Sequence, residues 1–159
     1  MLSLDKTKQV LDIVDFFKEH DGIAMLKMDG LTCSLNYQSE LIAAETRGNG
    51  EVGEDILHNA KVLSNIPLKV KSDNLIVDGE VIIDYPTFEK INESLTNEDK
   101  YKNPRNFAAG SIRLLDSREC KKRNLTFVAW DVIEGFDHLE LLSKKLDRLK
   151  REHFIVVPY

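Results

Sequence analysis

Lys27 is the side chain in this sequence whose surroundings first suggest chemistry. It opens the tetrad Lys27-Met28-Asp29-Gly30, in which a tight Asp-Gly turn follows a strand-like run. A ligand can reach a lysine at such a sheet rim, and a lysine amine becomes a nucleophile when burial or a nearby cation removes its proton. The tetrad is short, and chance alone produces it in roughly one chain in twenty of this length. On its own it indicates a surface lysine beside a hairpin turn.

Three longer runs follow in order along the chain. Residues 46–55 read Thr-Arg-Gly-Asn-Gly-Glu-Val-Gly-Glu-Asp, residues 77–81 read Val-Asp-Gly-Glu-Val, and residues 103–113 read Asn-Pro-Arg-Asn-Phe-Ala-Ala-Gly-Ser-Ile-Arg. Arginine offers a planar fork of donors that suits phosphate oxygens, and carboxylates accept hydrogen bonds from hydroxyl groups. Taken singly, the runs have plainer interpretations: a flexible glycine turn, a polar strand face and the solvated charges of a helix.

Taken together with the opening residues 1–5, Met-Leu-Ser-Leu-Asp, these runs resemble the adenylation domain of bacterial NAD-dependent DNA ligases. The resemblance extends over nearly the whole chain. It implies a nucleotidyltransferase core like that of DNA ligases and mRNA capping enzymes, with NAD as the cofactor through its AMP moiety. It also implies nicked duplex DNA as the partner of the intact enzyme. Mg²⁺ is expected in the intact enzyme, with no protein ligand assigned to it here.

The resemblance also implies roles for individual residues. Lys27 stands where the family's lysine attacks the α-phosphate of NAD, which forms lysyl-AMP and releases nicotinamide mononucleotide; Asp29 belongs to the same motif. The matching nucleotide-site positions are Ser3, Leu4, Arg47 and Glu80, of which Glu80 corresponds to the glutamate that contacts the AMP ribose. Arg105 and Arg113 match arginines that act around the phosphates and the nicked DNA. These residue types suit phosphoryl transfer, which depends mainly on positioning and on stabilising negative charge.

Met25 departs from the family's pattern. Alternation along a predicted strand at residues 23–28 puts Met25 and Lys27 on one face, so we expect Met25 to line the nucleotide pocket. The family has a glutamate there that recognises the adenine edge. Methionine is apolar and flexible, so it can pack against the base but accepts its amino protons poorly.

The resemblance predicts that residues 1–159 form part of an adenylation domain. The expected missing parts are the nicotinamide-binding domain, the later adenylation segment with two further lysine motifs, and the oligonucleotide-binding, zinc-finger, helix-hairpin-helix and BRCT domains. Three functions stay open: the core of an NAD-dependent DNA ligase, a truncated relative that only binds AMP or NAD, and an ATP-using ligase or capping-type enzyme. The runs around Arg47 and Arg105 favour the NAD-dependent class.

Composition is that of an ordinary globular domain of 159 residues, with 42% hydrophobic and 31% charged residues. The longest apolar runs fall well short of the roughly 20 residues of a membrane helix, and the polar start predicts no signal peptide, so we expect a cytoplasmic protein. The net charge is −5, yet residues 100–130 carry eight basic and two acidic side chains. This segment indicates either a local anion site or a solvated helix face. Two cysteines are too few for a disulfide scaffold or a zinc site.

The hydrophobic pattern predicts an α+β fold with mostly antiparallel sheet flanked by helices. Helices are predicted over about residues 6–20, 54–63, 87–95, 103–115 and 139–153. Strands are predicted over residues 23–28, 32–37, 41–46, 66–70, 75–84, 125–133 and 154–157, the first three as an antiparallel meander. Cys33, Phe127 and Trp130 are expected in the core, and Cys120 at the surface.

Overall fold

A four-stranded antiparallel sheet forms the centre of the computed structural model, which describes residues 6–48 and 53–159. Strands β1 (Leu31–Gln38) and β2 (Glu40–Thr46) form a hairpin, and β3 (Leu75–Ile82) and β4 (Thr126–Glu134) complete the spatial order β2-β1-β3-β4. Every one of these three pairings is antiparallel. The predicted α+β class with mostly antiparallel sheet is confirmed.

Helices precede, separate and follow these strands along the chain. Within the described residues they are α1 (Val10–Phe17), α2 (Leu57–Ala60), α3 (Tyr85–Glu93), α4 (Pro104–Ser111), α5 (Ser117–Lys122) and α6 (Leu142–Arg151). The predicted start of α4 is confirmed: the Asn103 side chain accepts a hydrogen bond from the amide of Asn106 at 2.8 Å, and proline follows it. This is the arrangement that satisfies an otherwise unpaired amide in the first turn. In the part of the chain that is described, no helix has the length and apolar character needed to cross a bilayer.

The core lies on one face of the sheet, where strand residues alternate between buried and half-buried. Leu75, Val77, Gly79 and Val81 of β3 are buried, whereas the residues between them are half-buried. Period-two alternation therefore places the side chains of Asp78 and Glu80 together on the other, more polar face. Cys33 is buried in the core as predicted, and so is Phe127, while Trp130 is half-buried.

Helix α4 is attached to the domain by Phe107, which is fully buried. Its ring meets those of Phe88 and Tyr101 edge to face, with ring centres 5.7 and 5.1 Å apart. The Arg123 guanidinium lies 5.3 Å from the centre of the Phe107 ring. Edge-to-face aromatic contacts are directional, so this cluster fixes the orientation of α4 and of Arg105 in its first turn.

Three predicted strands are wrong. Residues 23–28, 66–70 and 154–157 contain no regular strand. They make isolated backbone contacts with distant segments: Leu26 donates its amide to the Pro158 carbonyl at 3.2 Å, and Lys69 and Val156 form single bridges with Glu40 and Ala129. Their apolar composition suits a strand, but a strand also needs a neighbour with continuous pairing.

The helix predictions differ from the structure mainly in length. The helix predicted over residues 54–63 is reduced to α2, four residues long, and α1 spans eight residues with none of them buried. Val10, Leu11 and Phe16 of α1 are each more than 70% exposed. Helix α5 was not predicted, and it carries Cys120 into the core. The expected surface position of Cys120 is therefore wrong, and burial raises the pKa of its thiol to about 11.

Replacing Phe107 tests whether the aromatic cluster stabilises the fold. We expect Phe107→Ala to lower the free energy of unfolding by about 3–5 kcal/mol, because it removes a buried ring and leaves a cavity. Urea unfolding followed by circular dichroism measures the loss. Leu115→Ala is the control, because Leu115 is 96% exposed and an exposed site usually changes stability by about 0.5 kcal/mol or less. Equal effects of the two substitutions would contradict the assignment of the cluster.

Candidate functional site

The segment that carries Lys27 reaches the sheet at Gly30, where the backbone lies directly against β3. A Cβ atom at this position would be 2.1 Å from the carbonyl oxygen of Val81, far closer than any real side-chain contact. Gly30 is buried, while Lys27 and Asp29 are exposed. Glycine is therefore required by the close approach of two backbones, and this approach determines where the Lys-Met-Asp-Gly tetrad ends against the sheet.

Glu80 is the second element of the site and is bonded to the same segment. Strands β1 and β3 pair with Thr32 opposite Glu80. The amide of Gly30 donates to Oε1 of Glu80 at 3.2 Å, and the Thr32 hydroxyl donates to Oε2 at 2.9 Å. The structure thus brings together Asp-Gly-Glu and the end of Lys-Met-Asp-Gly, which lie 50 residues apart in the sequence.

Arg47 follows the end of β2 and lies beside the same strands. Its amide donates to the carbonyl of Thr32 at 3.1 Å, and the charge of its side chain acts on Asp78, which shares a face of β3 with Glu80. Arg47 itself is exposed. The predicted grouping of Arg47 with Glu80 on one side of the sheet is consistent with these contacts.

Asp78 adds a negative charge whose environment is unfavourable. Burial raises its pKa above the ordinary value, the Ser34 hydroxyl opposes this by hydrogen bonding, the charge of Asp131 raises it further and that of Arg47 lowers it. Asp131 faces Asp78 directly in the β3–β4 register. Two carboxylates opposite each other across a sheet destabilise the pairing, so the polar face carries an electrostatic cost near the candidate site.

Arg105 in the first turn of α4 and Arg113, two residues beyond its last, are both paired with acidic residues. Nη1 of Arg105 lies 3.4 Å from Oδ1 of Asp29, so α4 is linked to the Lys-Met-Asp-Gly tetrad. Arg113 pairs with Glu54 and also donates to the carbonyl of Ala109 at 3.1 Å. Both pairs are largely exposed to solvent, and exposed ion pairs contribute little to stability. The guanidinium groups are therefore available to exchange these partners for phosphate oxygens.

Met25 does not occupy the position that alternation predicted. Residues 23–28 form no strand, so the argument that placed Met25 and Lys27 on one strand face is wrong. Met25 is 37% exposed. Ser3 and Leu4, together with residues 49–52 of the glycine-rich run, lie outside the described residues.

Thr32 is the site residue that sequence reasoning missed. Its position two residues after Gly30 and the alternation of β1 placed it on the polar face, but only the register with β3 shows that it meets Glu80.

The family resemblance also predicted Mg²⁺ in the intact enzyme, without assigning it a protein ligand. Across residues 6–48 and 53–159, no group of three or more His, Cys, Asp and Glu side chains is arranged to hold a metal ion.

Comparison with known proteins decides the family. The model of the NAD-dependent DNA ligase adenylation domain matches residues 1–159. The chain belongs to this family. The chain is 44% identical to the DNA ligase of Lachnoclostridium phytofermentans over 99% of the chain. It is 40% identical to the DNA ligase of Ruminiclostridium cellulolyticum over 100% of the chain. The DNA ligase of Mycoplasma mycoides subsp. mycoides is 50% identical over 67% of the chain.

The chain spans about a quarter of the length of the first two ligases and 17% of the third. The predicted resemblance to the ligase family is confirmed.

Substitution of Gly30 tests the backbone contact at the end of the tetrad. We expect Gly30→Ala to lower the melting temperature by several degrees, because the added Cβ meets the rigid Val81 carbonyl and must displace the segment. Gly22→Ala is a matched control: its Cβ would meet the ring of Phe17, on a helix with no buried residue, which can turn away. Differential scanning calorimetry compares the two. A Gly30→Ala protein as stable as Gly22→Ala would refute the steric requirement.

Asp131→Asn tests the electrostatic cost at Asp78. A raised carboxyl pKa favours folding while the group is protonated, and this contribution is lost as the pH rises through the raised pKa. Removing the charge of Asp131 is therefore expected to stabilise the domain by about 0.2–1 kcal/mol at pH 7, and progressively less as the pH falls toward the acid range. Urea unfolding at several pH values measures this. Asp73→Asn, at an exposed position, is the control; an equal gain there, or one independent of pH, would contradict the interpretation.

Proposed function

We propose that this chain supplies the nucleotide-binding core of an NAD-dependent DNA ligase, and that Lys27 is the residue that receives AMP. The observation that carries the proposal is the bond between the Gly30 amide and Glu80, because it joins the Lys-Met-Asp-Gly tetrad to the Asp-Gly-Glu strand. NAD supplies the adenylyl group: the amine nitrogen gains a bond to the α-phosphorus, loses a proton, and the bond from phosphorus to nicotinamide mononucleotide breaks. A lysine in a tetrad whose glycine bonds Glu80 and whose aspartate pairs with Arg105 suits that chemistry.

The residue roles in this proposal follow the contacts of the site. Glu80 accepts the ribose hydroxyls, since a carboxylate has about four acceptor positions and the two strand donors occupy one on each oxygen. Arg47 lies beside the same face of the sheet and contacts the nucleotide. Arg105 and Arg113 bind phosphate groups after leaving Asp29 and Glu54. The packing of Met25 against the base is supported by none of these contacts and stays a prediction from its matching position.

Ser3 and Leu4 remain predictions from the family motif. A cytoplasmic location, predicted from the sequence, belongs to the same proposal.

Nicked duplex DNA is the proposed partner of the whole ligase, and this chain supplies a small part of that contact. Of the eight basic side chains in residues 100–130, four are paired with carboxylates: Arg105, Arg113, Arg118 and Lys122. DNA affinity follows the number of phosphates that basic groups neutralise. We therefore expect the chain alone to bind DNA weakly.

Orientation limits the rate at which the 159-residue chain can react. Attack by Lys27 requires the leaving nicotinamide mononucleotide to be held in line with the amine, and such orientation accounts for roughly 7–11 kcal/mol of a barrier. The resemblance assigns the nicotinamide half to a domain that precedes this region. The resemblance also assigns two further lysine motifs to the later adenylation segment. Loss of one contact that stabilises developing charge, such as a contact from those lysines, raises the barrier by about 2.7–4 kcal/mol more. Both effects act on the same step.

Intact mass measured after incubation with NAD or with ATP tests the proposal. We expect little adenylyl addition from NAD, none from ATP, and none in Lys27→Ala. Lys69→Ala is the control, because Lys69 is exposed and pairs with Glu40 away from the tetrad. Addition from ATP would favour the ATP-using class, and nucleotide binding with no adduct at all would favour a binding module. Rapid stoichiometric addition from NAD that disappears in Lys27→Ala would confirm the nucleophile and refute the argument from orientation.

A further inference from the structure

The carboxylate of Glu80 is held by two donors, one from Gly30 immediately before β1 and one from Thr32 within β1. The Gly30 amide bonds Oε1 and the Thr32 hydroxyl bonds Oε2, at 3.2 and 2.9 Å. Thr32 and Glu80 are direct partners in the β1–β3 register, and both side chains are half-buried. The hydroxyl therefore reaches the carboxylate without any extended or flexible intervening group.

Two donors on different oxygens restrict a motion that glutamate otherwise retains. The terminal torsion of glutamate is broad, so a carboxylate held at one oxygen can still rotate. A second donor on the other oxygen fixes the carboxylate plane relative to β1. Because each donor occupies one position of an oxygen that has two, one acceptor position per oxygen stays available. Two vicinal hydroxyl groups match such a pair of acceptors.

We propose that Thr32 is a positioning residue that fixes the Glu80 carboxylate for the two ribose hydroxyls of the nucleotide. This inference rests on the proposed function, because it concerns the ligand of the same site. Thr32 acts through Glu80 and touches no reacting atom. Its hydroxyl group donates to Glu80, so a substitution that removes the hydroxyl frees the carboxylate to rotate while leaving the charge of Glu80 unchanged.

Nucleotide affinity with and without the ribose hydroxyls tests the proposal. Isothermal titration or NMR titration gives the Kd of AMP and of 2′,3′-dideoxy-AMP for the wild type, Thr32→Val and Thr32→Ser. We expect Thr32→Val to raise the Kd of AMP about three- to tenfold, the range for losing one hydrogen bond. The Kd of dideoxy-AMP is expected to stay unchanged. Thr32→Ser keeps the donor and is expected to retain the preference for AMP.

A matched control and a double variant separate positioning from general damage. Thr126→Val makes the same change in β4, at a half-buried position opposite Ile82, and is expected to alter neither affinity. In a Glu80→Gln background, Thr32→Val should have little further effect on AMP, because the two residues act in one contact. A Thr32→Val protein that keeps the full preference for AMP over dideoxy-AMP would overturn the proposal.

Exchange of the Gly30 amide gives a readout that needs no ligand. We expect this amide to exchange faster in Thr32→Val than in the wild type or Thr32→Ser, because a rotating carboxylate protects it less, while global stability stays close to that of Thr126→Val. Unchanged exchange would refute positioning. If the wild type binds AMP no better than dideoxy-AMP, the ribose role and the proposed function of Glu80 fail together, and Gly30 exchange still decides whether Thr32 holds the carboxylate.

Discussion

The close approach of the Gly30 backbone to the Val81 carbonyl is the constraint on which the site depends. It leaves no space for a side chain at Gly30 and brings the Gly30 amide to Glu80. A second such constraint lies at Gly79, the residue of β3 directly before Glu80, where a Cβ would be 2.3 Å from the Phe127 ring. Both positions therefore require glycine for steric reasons: a side chain at Gly30 would meet the backbone of β3, and a side chain at Gly79 would meet the aromatic ring of Phe127.

Electrostatics near β3 works against the fold that sterics enforces. Asp78 and Asp131 face each other across two strands, and burial keeps the pKa of Asp78 above its usual value. Stability has therefore been given up at a face that also holds Glu80. Proteins commonly accept such a cost at functional sites, where perturbed carboxylates cluster. Arg47 and Ser34 reduce the cost without removing it.

The parts of the fold that the sequence predicted are those whose determinants are local. Strands β1 to β4 have alternating or continuous apolar runs bounded by turn residues, and α4 begins at a cap that is complete within four residues, from Asn103 to Asn106. Residues 23–28 and 154–157 have similar composition, yet neither forms a continuous ladder: Leu26 bonds the Pro158 carbonyl, and residues 155 and 157 both bond the single residue Ala129 of β4 through their backbones. Strand pairing depends on partners distant in sequence, which composition does not reveal. Cys120 was misplaced for the same reason: α5 is too short for periodicity to reveal which side is buried. Within the site, motif residues were identifiable from sequence, whereas the contact of Thr32 with Glu80 required the strand register.

The acidic partners of Arg105 and Arg113 behave as tethered counterions. When a mobile salt ion is displaced from a basic group by phosphate, it gains freedom in solution, and this release makes binding steeply dependent on salt. Asp29 and Glu54 stay attached to the protein when displaced, so no such release accompanies their exchange for phosphate. An anion that reaches these arginines therefore gains less entropy, and the freed carboxylates remain close enough to repel it. Selectivity then favours an anion that is held at other points as well, over one that offers charge alone.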